Sequence, residues 1–164
     1  MATRTWIGAG PNIAAVQNYL FGGTWESSDV INLKIGTVTV ATTAGSTVTA
    51  TVVSTLVTTW NAISAVNYPQ FAELTASANG SNFILTADTA GNPFVVTIET
   101  TETGGGAADA QTIDGAATST GTVTTANSNP NDWSVAANWA ESAVPVAADD
   151  VVIDRGNKDV LDGL

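Results

Sequence analysis

Apolar and polar positions alternate along several short stretches of this chain. In residues 30 to 35, Ile31, Leu33 and Ile35 point one way and Val30, Asn32 and Lys34 the other. That is the period-two pattern of a strand with one face in a core. Gly36 then marks a turn, and residues 37 to 42 alternate again with Val38 and Val40 inward, which predicts a hairpin. Residues 13 to 20 (Ile13, Val16, Tyr19, Leu20) read as an irregular first strand, broken by Gly22-Gly23. Three further strands are predicted. Residues 71 to 77 align Ala72, Leu74 and Ala76, residues 83 to 88 align Phe83, Leu85 and Ala87, and residues 94 to 100 align Phe94, Val96 and Ile98. Asn79-Gly80 separates the first two as a tight turn, and Gly91-Asn92-Pro93 separates the second pair.

Between residues 49 and 64 the period changes. Val52, Val53, Leu56, Val57, Trp60 and Ile63 fall on one helical stripe, with Ser46 or Thr49 as the capping candidates. The richness in Val and Thr leaves a strand over 47 to 53 as the alternative. The expected fold is therefore mainly β (β-rich α+β), a ββαβββ module with one helix packed on a sheet, plus a short C-terminal β segment. The expected organisation is a lead-in arm over 1–27, the module over 28–126 with an acidic Gly-rich loop at 101–110, and a C-terminal segment over 129–164. The break at Asn127 to Asp132 separates the last two. A strand at 150 to 153 followed by polar residues leaves an open edge, which predicts that the last segment is an assembly element.

Composition narrows the chemistry. The chain has 164 residues, no Cys, no His and a formal net charge of −11, with Arg4, Lys34, Arg155 and Lys158 as its basic residues. Phosphate neutralisation and attraction to anionic lipid both need positive charge, so neither nucleic acid nor a membrane surface is an expected partner. Without His or Cys most nucleophile–base pairs cannot be built. A two-carboxylate glycosidase remains formally open, but Glu26, Glu73, Glu99, Glu102 and Glu141 are scattered and read as solvated carboxylates. The expectation is a protein that is not an enzyme and holds no cofactor. Asp149, Asp150 and Asp154, with Asn157 and Asp159, offer hard oxygen ligands of the kind Ca²⁺ takes. Their spacing is not that of an EF-hand, and Arg155 and Lys158 fall inside the cluster, so a charged strand end is the preferred reading. Gly8-Ala9-Gly10 lacks the Lys-Ser/Thr of a phosphate loop. Asn79-Gly80-Ser81 fits the glycosylation pattern, but the turn explains the same residues. Trp133 and Trp139 suggest either a sugar-stacking platform or the cap of a small core, and the cap is preferred. Trp6 and Trp25, near the start, are candidates for a subunit contact. With Trp133, Trp139, Val151 and Ile153 they form the predicted interface set.

Two longer patterns carry a resemblance. Ile84-Leu85-Thr86-Ala87-Asp88-Thr89-Ala90-Gly91-Asn92-Pro93-Phe94-Val95-Val96-Thr97, preceded by Thr5-Trp6-Ile7-Gly8 and Gly22-Gly23-Thr24-Trp25, resembles a β-rich module of tailed-phage virion structural proteins and large bacterial surface proteins. Trp133…Asn138-Trp139…Val144-Pro145…Asp149-Asp150-Val151-Val152-Ile153 resembles the start of β-solenoid regions in the same kinds of protein. The resemblance implies a structural protein of a phage particle, such as a capsid decoration protein, a fibre or a tail attachment piece. It would act through contacts with other virion proteins and with copies of itself, as a homo-oligomer. The N-terminus shows no apolar export segment, which fits a virion protein released by lysis. A bacterial cell-surface or adhesin module and a carbohydrate-binding domain are the alternatives.

Overall fold

The computed structural model describes residues 1–103 and 111–153. The acidic Gly-rich stretch from 104 onward, and Asp154, Arg155, Asn157, Lys158 and Asp159, lie outside the described residues. The fold is mainly β with one helix packed on a sheet. The chain forms two compact units, residues 14–127 and residues 1–13 with 128–164. This division differs from the lead-in, module and tail that the sequence suggests. The first 27 residues are shared between the units, because the strand at 16–22 lies inside the larger unit while residues 1–13 join the C-terminal segment.

The larger unit contains two antiparallel sheets. One has the order β10 (Thr122–Thr125), β2 (Val16–Gly22), β6 (Asn82–Ala87), β5 (Leu74–Asn79), with the two-residue β8 (Thr112–Ile113) pairing the far end of β2. The other has the order β4 (Val38–Thr43), β3 (Val30–Ile35), β7 (Thr97–Thr101), β9 (Thr118–Ser119). The β3–β4 hairpin turns through Gly36-Thr37, with Ile35 opposite Val38. Gly36 has φ +59°, a left-handed value that costs a glycine little. The β5–β6 hairpin turns through Gly80-Ser81, with Asn79 opposite Asn82, as the Asn-Gly signal predicts.

The helix α1 (Thr49–Asn61) buries Val52, Val53, Leu56 and Trp60 and packs against β5, β6 and β2. Val57 and Ile63, the rest of the predicted stripe, are half-buried on the same core. Neither Ser46 nor Thr49 caps it. The cap position is Val48, which has no side-chain cap, while Ser46 accepts a bond from the Val48 N–H. Most of the helix's stability therefore comes from burying its apolar stripe. The Trp60 ring packs 4.9 Å from Phe71 and 5.8 Å from Phe83, and its Nε1 donates to the Leu74 carbonyl. The buried faces of both sheets and of α1 contribute to one apolar cluster. Gly121 lies so close to the ring of Tyr19, a member of this cluster, that a Cβ would sit 2.7 Å from it.

Strand boundaries shift by up to three residues from the predicted ones. Ala72 lies outside β5 and is exposed, because Pro69 to Glu73 form turns before the strand begins. Phe94 and Val96 lie before β7 rather than in it, yet Val96 is fully buried.

The smaller unit is built on β1 (Thr3–Trp6), which pairs in parallel with β11 (Asp150–Ile153). On its other side β1 bridges Trp139. The Ala140 N–H donates to the Thr5 carbonyl, and the Ile7 N–H donates to the Asn138 carbonyl. A short 3₁₀ turn, Ala136–Asn138, precedes that bridge. The strand predicted at 150 to 153 is present; β1 pairs one of its edges, and among the described residues no strand pairs the other.

Candidate functional site

Three places gather polar or aromatic side chains. The first is the centre of the smaller unit. Asn138 is fully buried and organises three backbone groups. Its Oδ1 accepts from the Gly10 N–H at 2.5 Å, and its Nδ2 donates to the Asn129 and Asp132 carbonyls at 2.8 Å each. A Cβ on Gly10 would lie 2.7 Å from Asn138 Oδ1 and 2.8 Å from the Asn129 carbonyl oxygen, so only glycine fits. The Gly8-Ala9-Gly10 stretch thus turns an amide inward rather than offering it to a ligand.

Around this centre the aromatic rings assemble. Trp6 stacks on Trp133 at 5.9 Å, and Trp139 stands edge-on to both, at 5.0 Å from Trp6 and 4.5 Å from Trp133. Trp139 Nε1 donates to the Trp133 carbonyl at 3.0 Å. Trp139 is buried, Trp6 half-buried and Trp133 46% exposed. Of the predicted interface set, Trp139 is therefore unavailable at the surface. So is Trp25, whose ring stacks on Phe21 at 5.4 Å in the core of the larger unit and whose Nε1 donates to the Gly22 carbonyl. The chain bend at Gly22-Gly23 folds Trp25 back on its own strand, which is why it is core and not contact.

Val151 and Ile153 are 40% exposed, and Val152 between them is 44% exposed. The parallel register sets Val151 beside Arg4 and Ile153 beside Trp6. Side chains alternate along a strand, so Val151 and Ile153 share the face of Trp6 while Val152 lies on the other. β11 therefore shows apolar side chains on both faces, and among the described residues no strand pairs with its outer edge.

The second place is an acidic group. Glu26, Asp29 and Glu102 bring carboxylate oxygens within 4.8 Å of one another. The sequence treats these glutamates as scattered, but the β3–β7 pairing sets Val30 opposite Thr101 and so brings Asp29 beside Glu102. Asp29 is fully buried and accepts from the Glu26 N–H at 2.7 Å. It is thereby a local turn former as well as a member of the group. The aspartates singled out for Ca²⁺ are placed differently. Asp149 accepts from Arg4 Nε at 3.0 Å and from the Val146 N–H, while Asp150 is exposed. The Arg4 bond holds the Asp149 carboxyl below its ordinary range, and the Thr5 N–H does the same for Glu141. Arg4 neutralises Asp149, so the two described aspartates do not form a bare pair.

The third place is an open groove of about 480 Å³ in the larger unit, lined by Ile35, Gln70, Glu73, Leu74, Ala87, Thr89, Asn92, Pro93, Phe94 and Val95. Among the described residues Glu73 is its one titratable group, so those residues offer no acid–base pair of the kind hydrolysis needs. Elsewhere Tyr19 is buried with its hydroxyl 2.9 Å from both Gln17 Oε1 and the Val96 carbonyl oxygen. Burial, then the Asp114 charge, push its ionisation well above the ordinary value for a phenol. Lys34 pairs with Glu99 at 2.5 Å across β3 and β7 on a partly exposed face.

No protein-family model matches this chain, and no curated protein does. No helix among the described residues is long and apolar enough to cross a membrane.

Proposed function

We propose that this chain is a structural, non-catalytic component of a tailed-phage particle, acting through subunit contacts made by its smaller unit. The observation that carries this reading is β11. A two-stranded parallel sheet with apolar side chains about 40% exposed on both faces is an unfinished surface, because parallel strands are ordinarily covered on both sides. The half-exposed Trp133, held rigid by Trp6 and Trp139, adds an aromatic anchor of the kind enriched at interfaces. The partners are other virion proteins and further copies of the chain, and the site of action is the virion. The resemblance of residues 84–97 and 133–153 to virion proteins points the same way.

The experiment is mass spectrometry of purified phage particles from cells that make the protein, with parent and V152K chains compared. The reading requires the parent in the particle in stoichiometric amount and the variant depleted from it. A parent chain that stays in the soluble lysate overturns it. Carbohydrate binding is the second reading, favoured by the exposed ring of Trp133. It requires saturable quenching of tryptophan fluorescence by a glycan, lost in W133A.

A further inference from the structure

The two sheets of the larger unit treat their outer edges differently. The edge strand β5 is covered by the helix that packs on it. Trp60 Nε1 takes the Leu74 carbonyl, Asn61 Nδ2 takes the Ala76 carbonyl, and Asn61 Oδ1 accepts the Ala76 N–H, at 2.9, 3.0 and 3.0 Å. An edge blunted in this way cannot accept another strand. The edge strand β4 has no such cover. It pairs with β3 at all six positions, Val38 to Thr43, without a bulge. Among the described residues, no strand or side chain takes the backbone groups of its outer side.

Charge distribution says what fits there. The chain has 15 acidic residues against 4 basic ones, so two copies repel wherever their carboxylates meet. Residues 35 to 72, which include all of β4, carry no charged side chain at all. The other free edges differ. β11 begins at Asp150 next to Asp149, and β10 is irregular between Val123 and Thr125. β4 alone is long, regular and neutral. Its residues, Val-Thr-Val-Ala-Thr-Thr, have high strand propensity and contain neither Pro nor Lys, the usual guards of an exposed edge.

From these observations we infer that β4 is a self-pairing edge, which takes the β4 strand of a second copy in antiparallel register about a two-fold axis. Such an axis sets a strand against its own reverse, so lengths match and no like charges oppose. With Val40 on the axis, Val38 faces the partner's Thr42 and Thr39 faces the partner's Ala41, and the half-buried positions of both copies stay on one side. Six residues a side bury less than the roughly 800 Å² per partner of a standard interface. The contact is therefore weak between free molecules and counts where copies are already held close. It is independent of the role proposed for the smaller unit.

The absence of cysteine supplies the test. Single cysteines are placed in the full chain at Val40 (V40C), the one β4 position that meets its own copy on the axis, and at the exposed helix position Thr51 (T51C) as control. Each protein is concentrated and oxidised, and disulfide-linked dimer is measured over time. The inference requires V40C to cross-link about tenfold faster than T51C. It also requires that adding T39K and A41K together, which sets each new lysine opposite a new lysine of the partner, removes the excess, and that adding V152K leaves it intact. A tenfold weakening corresponds to about 1.4 kcal/mol. Equal rates for V40C and T51C overturn it. So does an excess abolished by V152K and untouched by T39K with A41K, which would assign the association to β11.

Discussion

Single residues decide whether the smaller unit forms. Asn138 satisfies three backbone groups with one side chain, and Gly10 leaves room for it to do so. Asn138→Ala leaves an inward-facing amide and two carbonyls without partners, at about 1–3 kcal/mol for each buried group left unsatisfied. Gly10→Ala removes the same bonds by collision. Both variants should lose the tryptophan signal of the smaller unit at lower denaturant than the parent, while the larger unit's transition stays in place. A parent-like transition in Asn138→Ala would show that the unit is held by its rings alone. Asn138 stands out in the sequence only as part of the Asn-Trp pair, and nothing local reveals that Gly10, 128 residues earlier, is its partner.

Ionisation acts at the same scale and in opposite directions in the two units. Asp149 and Glu141 have folded values below their unfolded ones. Their contribution is present above the unfolded carboxylate range of about 4 and is lost as pH falls through the folded values. Tyr19 has a folded value above its unfolded one. It carries no penalty below the unfolded phenol value of about 10 and weakens the fold as pH rises past it. Melting followed across pH should therefore show acid sensitivity in the smaller unit and alkaline sensitivity in the larger. In Y19F the alkaline loss should shrink. An unchanged alkaline limb in Y19F would remove Tyr19 from the account.

Among elements, α1 shows how far periodicity reaches. Its stripe is legible because Val52, Val53, Leu56 and Trp60 repeat at helical spacing, and burial overrides the weak helix propensity of Val and Thr. Trp60→Ala should destabilise the larger unit by about 3–5 kcal/mol, the range for large aromatic deletions from cores. Chemical denaturation of the full chain measures it, and a variant as stable as the parent would mean that α1 contributes little to the core. β3, β4, β5 and β6 are readable from alternation and turn residues, since their partners lie nearby in sequence. β1 is not, because Thr-Arg-Thr-Trp has no apolar alternation and its strand partner is more than a hundred residues away. The acidic group fails to show for the same reason, since it appears only once β3 is known to lie beside β7.

For the whole molecule, the division at residues 13/14 and 127/128 is the main departure from what the sequence suggests. The larger unit contains the main apolar cluster, so a fragment of residues 14–127 should fold alone and melt cooperatively, close to the corresponding transition of the parent. Removing only residues 129–164 is a harsher change than it looks, because it strands β1 and Trp6 without their partners. Circular dichroism and amide exchange on the fragment give the answer, and an unfolded fragment would show that the two units are one cooperative structure. The break at Asn127 to Asp132 is visible in composition. The recruitment of residues 1–13 is not, because it depends on a parallel pairing that no local pattern encodes.

That pairing also has a mechanical side. β1 enters from Met1, β11 leaves at Ile153, and the two run in the same direction. Tension between the start of the chain and the end of β11 therefore draws the strands past each other lengthwise. Their hydrogen bonds are strained together, not opened one after another from an end. Trp139 bridging Trp6, and Arg4 bonded to Asp149, stiffen the same joint. Until it slips, the force runs directly from one strand to the other, and the 14–127 unit between them stays slack. In a pulling experiment with handles on the two ends, the first event should be a high-force slip of the β1–β11 joint, followed by extension of the larger unit. A protein built this way would behave as a latch under load, giving nothing until the shear limit of four paired residues is reached.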